Sequence, residues 1–488
     1  MAFALAKLVC SVSASLTCDR MLHPDSLSDQ PEQAFCRAKM LLSQLIELPS
    51  IKAELEGQIE SPAARVYTQA PTLWLLVLQR LGGGLTLSQA VKDLIENHSD
   101  ILPQNRRVTE GRLSENNSAY NRSRQRLPIE VIEQFSHRIC DHLARRAPLA
   151  FDGRRVFILD GTTITLPPTP ALKKAFPPAR NRHGESVWPV AMLMVAHEMQ
   201  TGCALAPQVD PMFGPNNSSE SRQAQQIIVR LPEASLVLAD SGFGIFSIAF
   251  ACQSRGQGFV LRLTKQRYRA HVKKATLVEQ GERYRTHHLI WKPSAKERQK
   301  HDGLPADAAV EVFLHQIDLD NGQTLELVSN IEVDGPSVGG LYCRRYDVEF
   351  DIRDLKVTMD TENIRAKSVD TMMKELLGSV IAYNLVAQLR KQAAKLINVA
   401  PRRLSFSGVW TTFQYNLLRK DFETLEQWTL EYQRALVSAS GHRLPNRKTP
   451  RSYPRLVHTR RQKSTKFQKS LHKGKPDTPA PAPAPPPD

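Results

Sequence analysis

The sequence predicts an α/β protein that contains a β-rich segment and has helical regions at both ends. Between residues 131 and 263, short apolar runs typical of strands alternate with amphipathic helical patterns, as in an α/β sheet. In residues 264–340, short strand-like pieces instead follow one another with Gly, Pro and Asp-Asn-Gly turns between them. Most of the remaining chain carries apolar residues at helical spacing.

Helical patterns dominate the first 130 residues. Apolar residues recur at helical spacing over Glu32–Leu55 and Thr72–Gln79, and another helix is predicted after Thr86. Three glycines at 82–84 separate the last two helices. Because no Lys-Ser/Thr pair follows these glycines, we interpret them as a hinge rather than as a phosphate-binding loop.

A polar stretch with three arginines closes this region. Arg122, Arg124 and Arg126 lie within residues 114–127, among Ser and Asn side chains. Two interpretations fit this stretch: the arginines contact a phosphate backbone, or they belong to a solvated helix.

Two aspartates interrupt or end apolar strand patterns. The strand predicted at 154–167 contains Asp160, and the strand at 235–240 ends on Asp240. Further strands are predicted at 188–199 and 258–263. A carboxylate in such a position either lies in a polar cleft at the sheet edge or is a costly buried charge. The glycine that soon follows each aspartate also permits a simple turn.

A charged stripe marks the segment from Tyr342 to Lys356, which we predict to be one helix. At about 100° per residue the stripe falls within an arc of roughly 60° on one face. Its members are Tyr342, Arg345, Glu349 and Lys356. Apolar residues flank the stripe on both sides, so a buried Arg–Glu ion pair is the alternative to a functional role. A second charged face is predicted to be solvated; it holds Arg344, Asp347, Asp351 and Asp354.

Composition indicates a globular protein with a polyanionic partner. The chain has 65 Lys and Arg against 49 Asp and Glu, a net charge of +16. Nucleic acid is the first candidate partner and an anionic membrane the second. Residues 441–475 form a basic arm without Asp or Glu. No run approaches the roughly 18 apolar residues that a membrane helix needs.

Cysteine usage points to a reducing compartment. The seven cysteines are scattered and form no Cys-x-x-Cys pair, which argues against a zinc ribbon and against a disulfide framework. Lys7 interrupts the apolar N-terminal run, so export is not expected. We therefore expect a cytoplasmic location.

Asp160, Asp240 and Glu349 together suggest two-metal chemistry. Carboxylate oxygens from two strands and one helix are ligands of the kind that Mg²⁺ prefers. In two-metal phosphoryl chemistry, one ion activates the attacking water or hydroxyl and the other stabilises the leaving oxygen. The basic chain would attract a polyphosphate substrate.

At these residues the sequence resembles the DDE transposases of the insertion-sequence-4 family. The family signature is Y-x2-R-x3-E-x6-K, which the four residues of the charged stripe match. The surroundings of both aspartates are also similar to that family, as are two downstream pieces; these stretches are Ile158–Thr162, Leu238–Phe243, Asn363–Ser368 and Ala382–Leu385. Ser241 is a departure, because Arg often follows the second aspartate in the family.

The resemblance implies a ribonuclease-H-like catalytic domain and a DNA transposase activity. Asp160, Asp240 and Glu349 would ligate two Mg²⁺ ions, for which Mn²⁺ can substitute. The implied reaction is hydrolytic nicking at the transposon ends, followed by attack of the freed 3′-hydroxyl on target DNA. The implied partners are terminal inverted repeats and target DNA, held by a homodimer in the bacterial cytoplasm at the nucleoid, with no membrane partner.

The resemblance also implies which side chains grip DNA. Tyr342, Arg345 and Lys356 would hold phosphates near the cleaved end. Trp291 would stack on a flipped base, as an insertion-domain tryptophan does in relatives that cut through a DNA hairpin. The alternative for Trp291 is a core residue of the β-rich segment.

Six regions are expected on this basis. They are an N-terminal helical domain that binds DNA ends (1–130), the first part of the catalytic domain (131–263), a β-rich insertion domain (264–340), the second part of the catalytic domain with the glutamate helix (341–395), a C-terminal helical region with the basic arm (396–470), and a disordered proline-rich tail (471–488).

Two other functions remain open from the sequence. One is a metal-dependent nuclease of the same fold that performs no strand transfer. The other is an inactive, transposase-derived protein that only binds DNA. The presence of all three acidic residues favours an active enzyme.

Overall fold

The computed structural model describes residues 66–445, with gaps at 98, 100–101, 103–104, 183, 301–302, 321 and 419–424. The helix predicted at Glu32–Leu55, the basic arm beyond residue 445 and the proline-rich tail lie outside the described residues. All helices and strands given below belong to the first of two units of the chain, which ends at Leu444.

Helices form the first part of the described chain, as the apolar spacing predicts. They are α1 (Gln69–Leu81), α2 (Leu87–Asn97), α3 (Arg106–Thr109), α4 (Ser118–Arg126) and α5 (Ile129–Arg145). The predicted break is confirmed, because Gly83 and Gly84 have φ angles of 87° and 78° that L side chains rarely adopt. A capping box then starts α2, in which the side chains of Thr86 and Gln89 each accept from the other's backbone N–H.

A mixed ten-stranded sheet follows. Its strands are β1 (Arg155–Thr165), β2 (Pro178–Asn181), β3 (Gly184–Glu198), β4 (Gln208–Pro211), β5 (Ser235–Ala239), β6 (Gly258–Arg262), β7 (Thr276–Gln280), β8 (Tyr284–Trp291), β9 (Val310–Asp318) and β10 (Thr324–Ser329). The spatial order is β2-β3-β1-β5-β6-β10-β9-β8-β7, with β4 paired to β3. The predicted α/β class and the four strands predicted before residue 264 are confirmed.

The β-rich segment continues this sheet. β1 pairs antiparallel with β3 and parallel with β5, and β5 pairs parallel with β6. β10 then pairs antiparallel with β6, and β9, β8 and β7 follow as antiparallel neighbours. Backbone hydrogen bonds therefore join residues 276–329 to the strands that carry the aspartates. The domain boundaries stay predictions.

The remaining helices lie between and after the strands. They are α6 (Pro170–Ala175), α7 (Glu220–Ile228), α8 (Phe246–Gln253), α9 (Lys265–Val272), α10 (Ala295–Lys300), α11 (Gly335–Cys343), α12 (Asp347–Arg353), α13 (Val369–Leu396), α14 (Phe406–Phe413) and α15 (Leu425–Ser440). Side-chain caps start several of them, including Ser219 at α7 and Ser368 at α13. Within the described ranges, none of the helices combines the length and apolarity that crossing a bilayer requires.

Helix α13 runs through the core and joins the helical layer to the sheet. It packs against α1, α5, α14 and α15. Tyr383 donates to the Gly202 carbonyl at 2.8 Å, and Asn384 exchanges two hydrogen bonds of 2.8 Å with the Ala204 backbone. These contacts hold the loop between β3 and β4, so this part of the Ala382–Leu385 motif has a packing role.

Candidate active site

Asp160 and Asp240 are aligned on neighbouring parallel strands. The register of β1 and β5 pairs Ile158 with Leu238. Two residues further along, the same register brings Asp160 level with Asp240. Asp160 lies within β1, and Asp240 follows directly after the end of β5. Because side chains alternate along a strand, the aspartates share the face of Ile158 and Leu238. Those two residues are buried with Val348 in one apolar cluster, so the helical segment that carries Glu349 covers this face.

Burial and neighbouring charges shift the pKa of Asp160. Burial is the largest cause of a raised pKa at Asp160, which reaches about 6; Arg345 opposes the shift and Asp240 adds to it. Oδ1 of Asp160 accepts from the backbone N–H of Gly161 at 2.9 Å, and Oδ1 of Asp240 accepts from that of Gly242 at 2.8 Å. The turn interpretation therefore accounts for one oxygen of each aspartate.

The chain from Gly335 to Thr358 is helical throughout, but the predicted single regular helix is wrong. α11 is followed by a 3₁₀ turn at Arg344–Tyr346, then by α12, then by a π-helical turn at Asp354–Thr358. Tighter and wider turns alter the angular spacing, so the 60° arc does not describe the charged stripe.

Arg345 links Glu349 to Asp160. Its guanidinium lies 3.0 Å from Oε1 of Glu349 and 3.6 Å from Oδ2 of Asp160. Burial lowers the pKa of Arg345, but Tyr342, Asp160 and Glu349 outweigh this and raise the pKa above its ordinary value. The Arg–Glu pair that the sequence left as an alternative is thus present. It is not a buried pair, because the Glu349 side chain is 55% exposed, and it is shared with Asp160.

Lys356 reaches the same strand from the π-helical turn. Its ammonium donates to Oγ1 of Thr162 at 3.1 Å and to the Thr163 carbonyl at 2.7 Å. These acceptors lie two and three residues after Asp160 on β1. Two cations of the stripe therefore contact β1: Arg345 at Asp160, and Lys356 at the residues that follow it.

Tyr342 is buried, at 2% exposure, in the apolar cluster of Ile158 and Leu238. Burial is the largest cause of its raised pKa of about 12. This placement does not fit the prediction that Tyr342 holds a phosphate. Its position beneath the site supports packing of the glutamate segment instead.

The charged face predicted to be solvated is largely buried. Its three acidic residues, Asp347, Asp351 and Asp354, are called the framework carboxylates below. Asp351 lies 2.5 Å from a guanidinium nitrogen of Arg402 and 3.7 Å from one of Arg390. Arg390 also lies 3.6 Å from Asp354, and Arg402 lies 3.7 Å from Asp347. The prediction failed because both arginines come from later elements whose position no local pattern reveals.

The three N-terminal arginines fall into one buried residue and two exposed residues. Arg124 is buried, lies 2.5 Å from Glu375 of α13 and sits over the Tyr120 ring. The DNA-binding prediction is therefore corrected for Arg124, which ties α4 to α13. Arg122 and Arg126 are exposed, so both interpretations of those two residues remain.

Trp291 belongs to the core. It is 3% exposed and packs edge-on against Phe246 and His271, with ring centroids 5.8 and 5.0 Å apart. A base can stack only on an exposed aromatic face. The structure therefore corrects the stacking prediction in favour of the alternative, a core residue.

Sequence reasoning missed Glu220, the first residue of α7. Burial and Asp240 raise the pKa of Glu220, so its carboxylate lies near the second aspartate. Ser219 marks the start of this helix as its cap, but no spacing rule in the sequence connects Glu220 with Asp160 or Asp240.

The aspartates have the chemistry of a divalent-metal site. No three His, Cys, Asp or Glu side chains among residues placed in the structure are close enough to hold a metal ion together. Asp160 and Asp240, however, are hard oxygen ligands that repel each other, and a divalent cation would relieve that repulsion. Glu349 carries a third carboxylate on an exposed side chain, and the guanidinium of Arg345 joins it to Asp160.

Comparison with known proteins gives one match to a protein family. Residues 152–385 match the family described as the transposase DDE domain, a span that includes Asp160, Asp240 and Glu349. The chain is also 25% identical over 347 residues to the transposase InsG for insertion sequence element IS4 of Escherichia coli strain K12, covering 69% of this chain and 73% of that protein.

Solved structures are also similar to this chain, and one of them is a transposase bound to DNA. It is the cryo-EM structure of a piggyBac transposase synaptic complex with hairpin DNA, with a TM-score of 0.37 and 8% identity over 86% of this chain and 88% of that one. The family match and the relative from insertion sequence IS4 agree with the motifs around Asp160, Asp240 and Glu349. Residues 152–385 therefore form a transposase DDE domain, and the chain is similar over 69% of its length to a transposase of insertion sequence IS4.

Proposed function

We propose that Asp160, Asp240 and Glu349 catalyse nicking of transposon ends and then transfer of the freed 3′-hydroxyl into target DNA. The observation that carries this proposal is the alignment of Asp160 with Asp240, together with the guanidinium of Arg345 that joins Asp160 to Glu349. The three residues would hold two Mg²⁺ ions, with Mn²⁺ as a substitute. When bound, such ions activate the attacking oxygen and stabilise the leaving oxygen.

Arg345 would control when Glu349 joins the aspartates. A guanidinium fork binds a phosphate as readily as a carboxylate. A DNA phosphate that enters the site would therefore compete with Glu349 for Arg345. The exposed Glu349 side chain is then released toward Asp160, while Lys356 contributes a second cation beside β1.

The larger assembly follows from the same proposal. Residues 131–263 and 341–395 would form a ribonuclease-H-like catalytic domain, and 264–340 an insertion domain that shares its sheet. A homodimer would bridge two terminal inverted repeats before target DNA is joined. The enzyme would work in the bacterial cytoplasm, at the nucleoid.

A labelled-end assay tests the proposal. The substrate is a duplex that carries the inverted repeat flanking the gene, and the products of cleavage and of joining are measured with Mg²⁺. Glu349→Gln should lower both products at least a hundredfold, because a neutral amide is a poor ligand for Mg²⁺. Glu332→Gln is the matched control, because Glu332 is exposed and lies outside the site.

Each alternative has its own outcome in this assay. Cleavage without joining by the wild-type protein indicates a nuclease. Binding without cleavage indicates an inactive, transposase-derived protein. Unchanged joining by Glu349→Gln contradicts the assignment of Glu349.

A further inference from the structure

Helix α9 presents a row of exposed cations to solvent. Lys265, Arg269 and Lys273 are all exposed, and together they are called the α9 stripe below. Lys273 directly follows the last residue of the helix and keeps helical dihedral angles. Because four residues separate each cation from the next, the stripe falls within an arc of about 80° on one face. The stretch Thr264–Ala275 contains no Asp or Glu.

The charges of the α9 stripe are not balanced as they are on other helices. In α2, Lys92 lies 3.6 Å from Glu96, four residues further along. In the α9 stripe the positions four residues apart are all cations, an arrangement that destabilises a helix. Lys265 also lies in the first turn, where the helix dipole disfavours a positive charge. Among the described residues, no acidic side chain forms an ion pair with the three cations, so an anion from outside would relieve their repulsion.

The start of α9 is fixed to the loop that follows Asp240. β5 and β6 are parallel, and their register brings Arg262, the last residue of β6, level with Asp240. α9 begins three residues later, and the guanidinium of Arg267 donates to the carbonyls of Ser241 and Gly244 at 2.9 and 3.2 Å. The helix packs against β8 and β10, which lie beyond β6 in the strand order. The α9 stripe therefore lies on the β6 side of the site, whereas Lys356 contacts β1.

The dimensions of the stripe suit a DNA backbone. Successive cations are about 6 Å apart along the helix axis, and the whole stripe spans about 12 Å. One strand of duplex DNA carries a phosphate roughly every 3.4 Å of its axis, so the stripe is as long as three or four phosphates. Contacts from Lys and Arg to phosphates hold DNA without reading its sequence. DNA outside an inverted repeat differs from one insertion site to another, so only contacts of this kind can hold it.

We propose that the α9 stripe binds phosphates of the duplex that flanks the transposon end, outside the inverted repeat. This inference rests on the proposed function, because it takes Asp160 and Asp240 as the place where the end is cut. The flanking duplex would pass over α9, on the side of the site away from the contacts of Lys356 with β1.

Binding of two labelled duplexes to the full-length protein in EDTA tests the inference. The flank-free duplex stops at the outer end of the inverted repeat, and the flanked duplex continues into the neighbouring DNA. A variant with Lys265→Gln, Arg269→Gln and Lys273→Gln should bind the flanked duplex at least about tenfold more weakly than wild type does, with a slope of log K against log salt reduced by about 2–3. Its affinity for the flank-free duplex should equal that of wild type.

Fluorescence anisotropy over a salt series measures these affinities. The charge-matched control replaces three other exposed cations with Gln; they are Arg145, Arg255 and Lys395. This control should bind the flanked duplex more tightly than the variant of the α9 stripe does. Thermal unfolding verifies that each variant is folded, and loss of the stripe should not lower stability, because it removes a repulsion.

Three results would overturn the inference. The first is wild-type affinity of the stripe variant for the flanked duplex. The second is an equal loss of affinity for both duplexes, which would place the transposon end itself on the stripe. The third is an equal loss in the charge-matched control, which would make net charge the cause. Cleavage of the flanked duplex by Asp240→Asn in Mg²⁺ would contradict the proposed function without altering these binding results, so the two failures are distinguishable.

Discussion

Two groups of carboxylates in this protein differ in how their charge is neutralised. The framework carboxylates face two arginines of the core, Arg390 and Arg402, and Asp351 is fully buried between them. The site carboxylates are Asp160, Asp240 and Glu349; Asp160 and Glu349 share the single guanidinium of Arg345, and Asp240 is a more distant charge that also acts on it. Glu349 lies in the same short helical segment as the three framework carboxylates, so the contrast arises from the partners of these side chains rather than from their place in the chain.

The two groups show how a structural carboxylate can be distinguished from a functional one. Buried carboxylates that are matched by arginines hold elements together, and removing one partner is costly. Carboxylates that repel each other without enough positive charge leave a site that a cation can complete. The framework group fixes the segment on the core, and the site group depends on what binds.

The largest expected effect is the loss of a framework carboxylate. Asp351→Asn should lower the free energy of unfolding by about 3–5 kcal/mol, because it leaves Arg390 and Arg402 without their shared counter-charge. Urea unfolding of the metal-free protein measures this change. Glu311→Gln, which removes an exposed partner of His288, is the control and should cost less than about 1 kcal/mol. A similar small cost for Asp351→Asn would show that the framework group is not structural.

At the site, by contrast, neutralising a carboxylate should raise the free energy of unfolding. The pKa of Asp160 is raised to about 6 in the folded protein, so the native state binds more protons than the unfolded chain between about pH 4 and pH 6. Stability should therefore fall as the pH rises through this window and stay low above it. Asp160→Asn removes this penalty and should stabilise the metal-free protein by about 1–2 kcal/mol at pH 7.5.

Urea unfolding in EDTA at about pH 4.5 and about pH 7.5 checks this prediction. The stabilisation should be present at the higher pH and much reduced at the lower one. An Asp160→Asn variant that is less stable than wild type at the higher pH would place Asp160 in the structural group.

The smallest effect is expected within α4, where the same contrast applies to cations. Arg122 and Arg126 are exposed, and replacing either with Ala should leave stability within about 0.5 kcal/mol. If they contact phosphates, each replacement should reduce the slope of log K against log salt by about 1.

Arg124→Ala should mainly destabilise the fold, because it leaves Glu375 with a weaker counter-charge. Fluorescence anisotropy with a labelled duplex over a salt series measures the slopes; a change confined to Arg124→Ala contradicts the division.

Local sequence patterns predicted the strands and the positions of Asp160 and Asp240 within or at the end of them. The apolar runs around Asp160 and before Asp240 are local signals, and a parallel register turns them into neighbours. The burial of Tyr342, Trp291 and Asp351 was not predictable in this way. It depends on contacts with distant elements, such as Arg402 against Asp351 and Phe246 against Trp291.

The regular helical projection of Tyr342–Lys356 failed for a physical reason. The 3₁₀ turn before α12 and the π-helical turn after it break the regular spacing on which such projections rely. The position of Glu220 was not predictable from the sequence, because only the packing of α7 against β3, β4 and α8 brings it near Gly161 and Gly242.

The most direct test of the central claim is a structure of the protein with transposon-end DNA and Mn²⁺, in which anomalous scattering locates the ions. We expect Mn²⁺ at Asp160 and Asp240, with the Glu349 carboxylate moved from Arg345 to an ion and Arg345 on a DNA phosphate. Mn²⁺ bound away from both aspartates, or Glu349 still paired with Arg345 in the cleavage-competent complex, would contradict it.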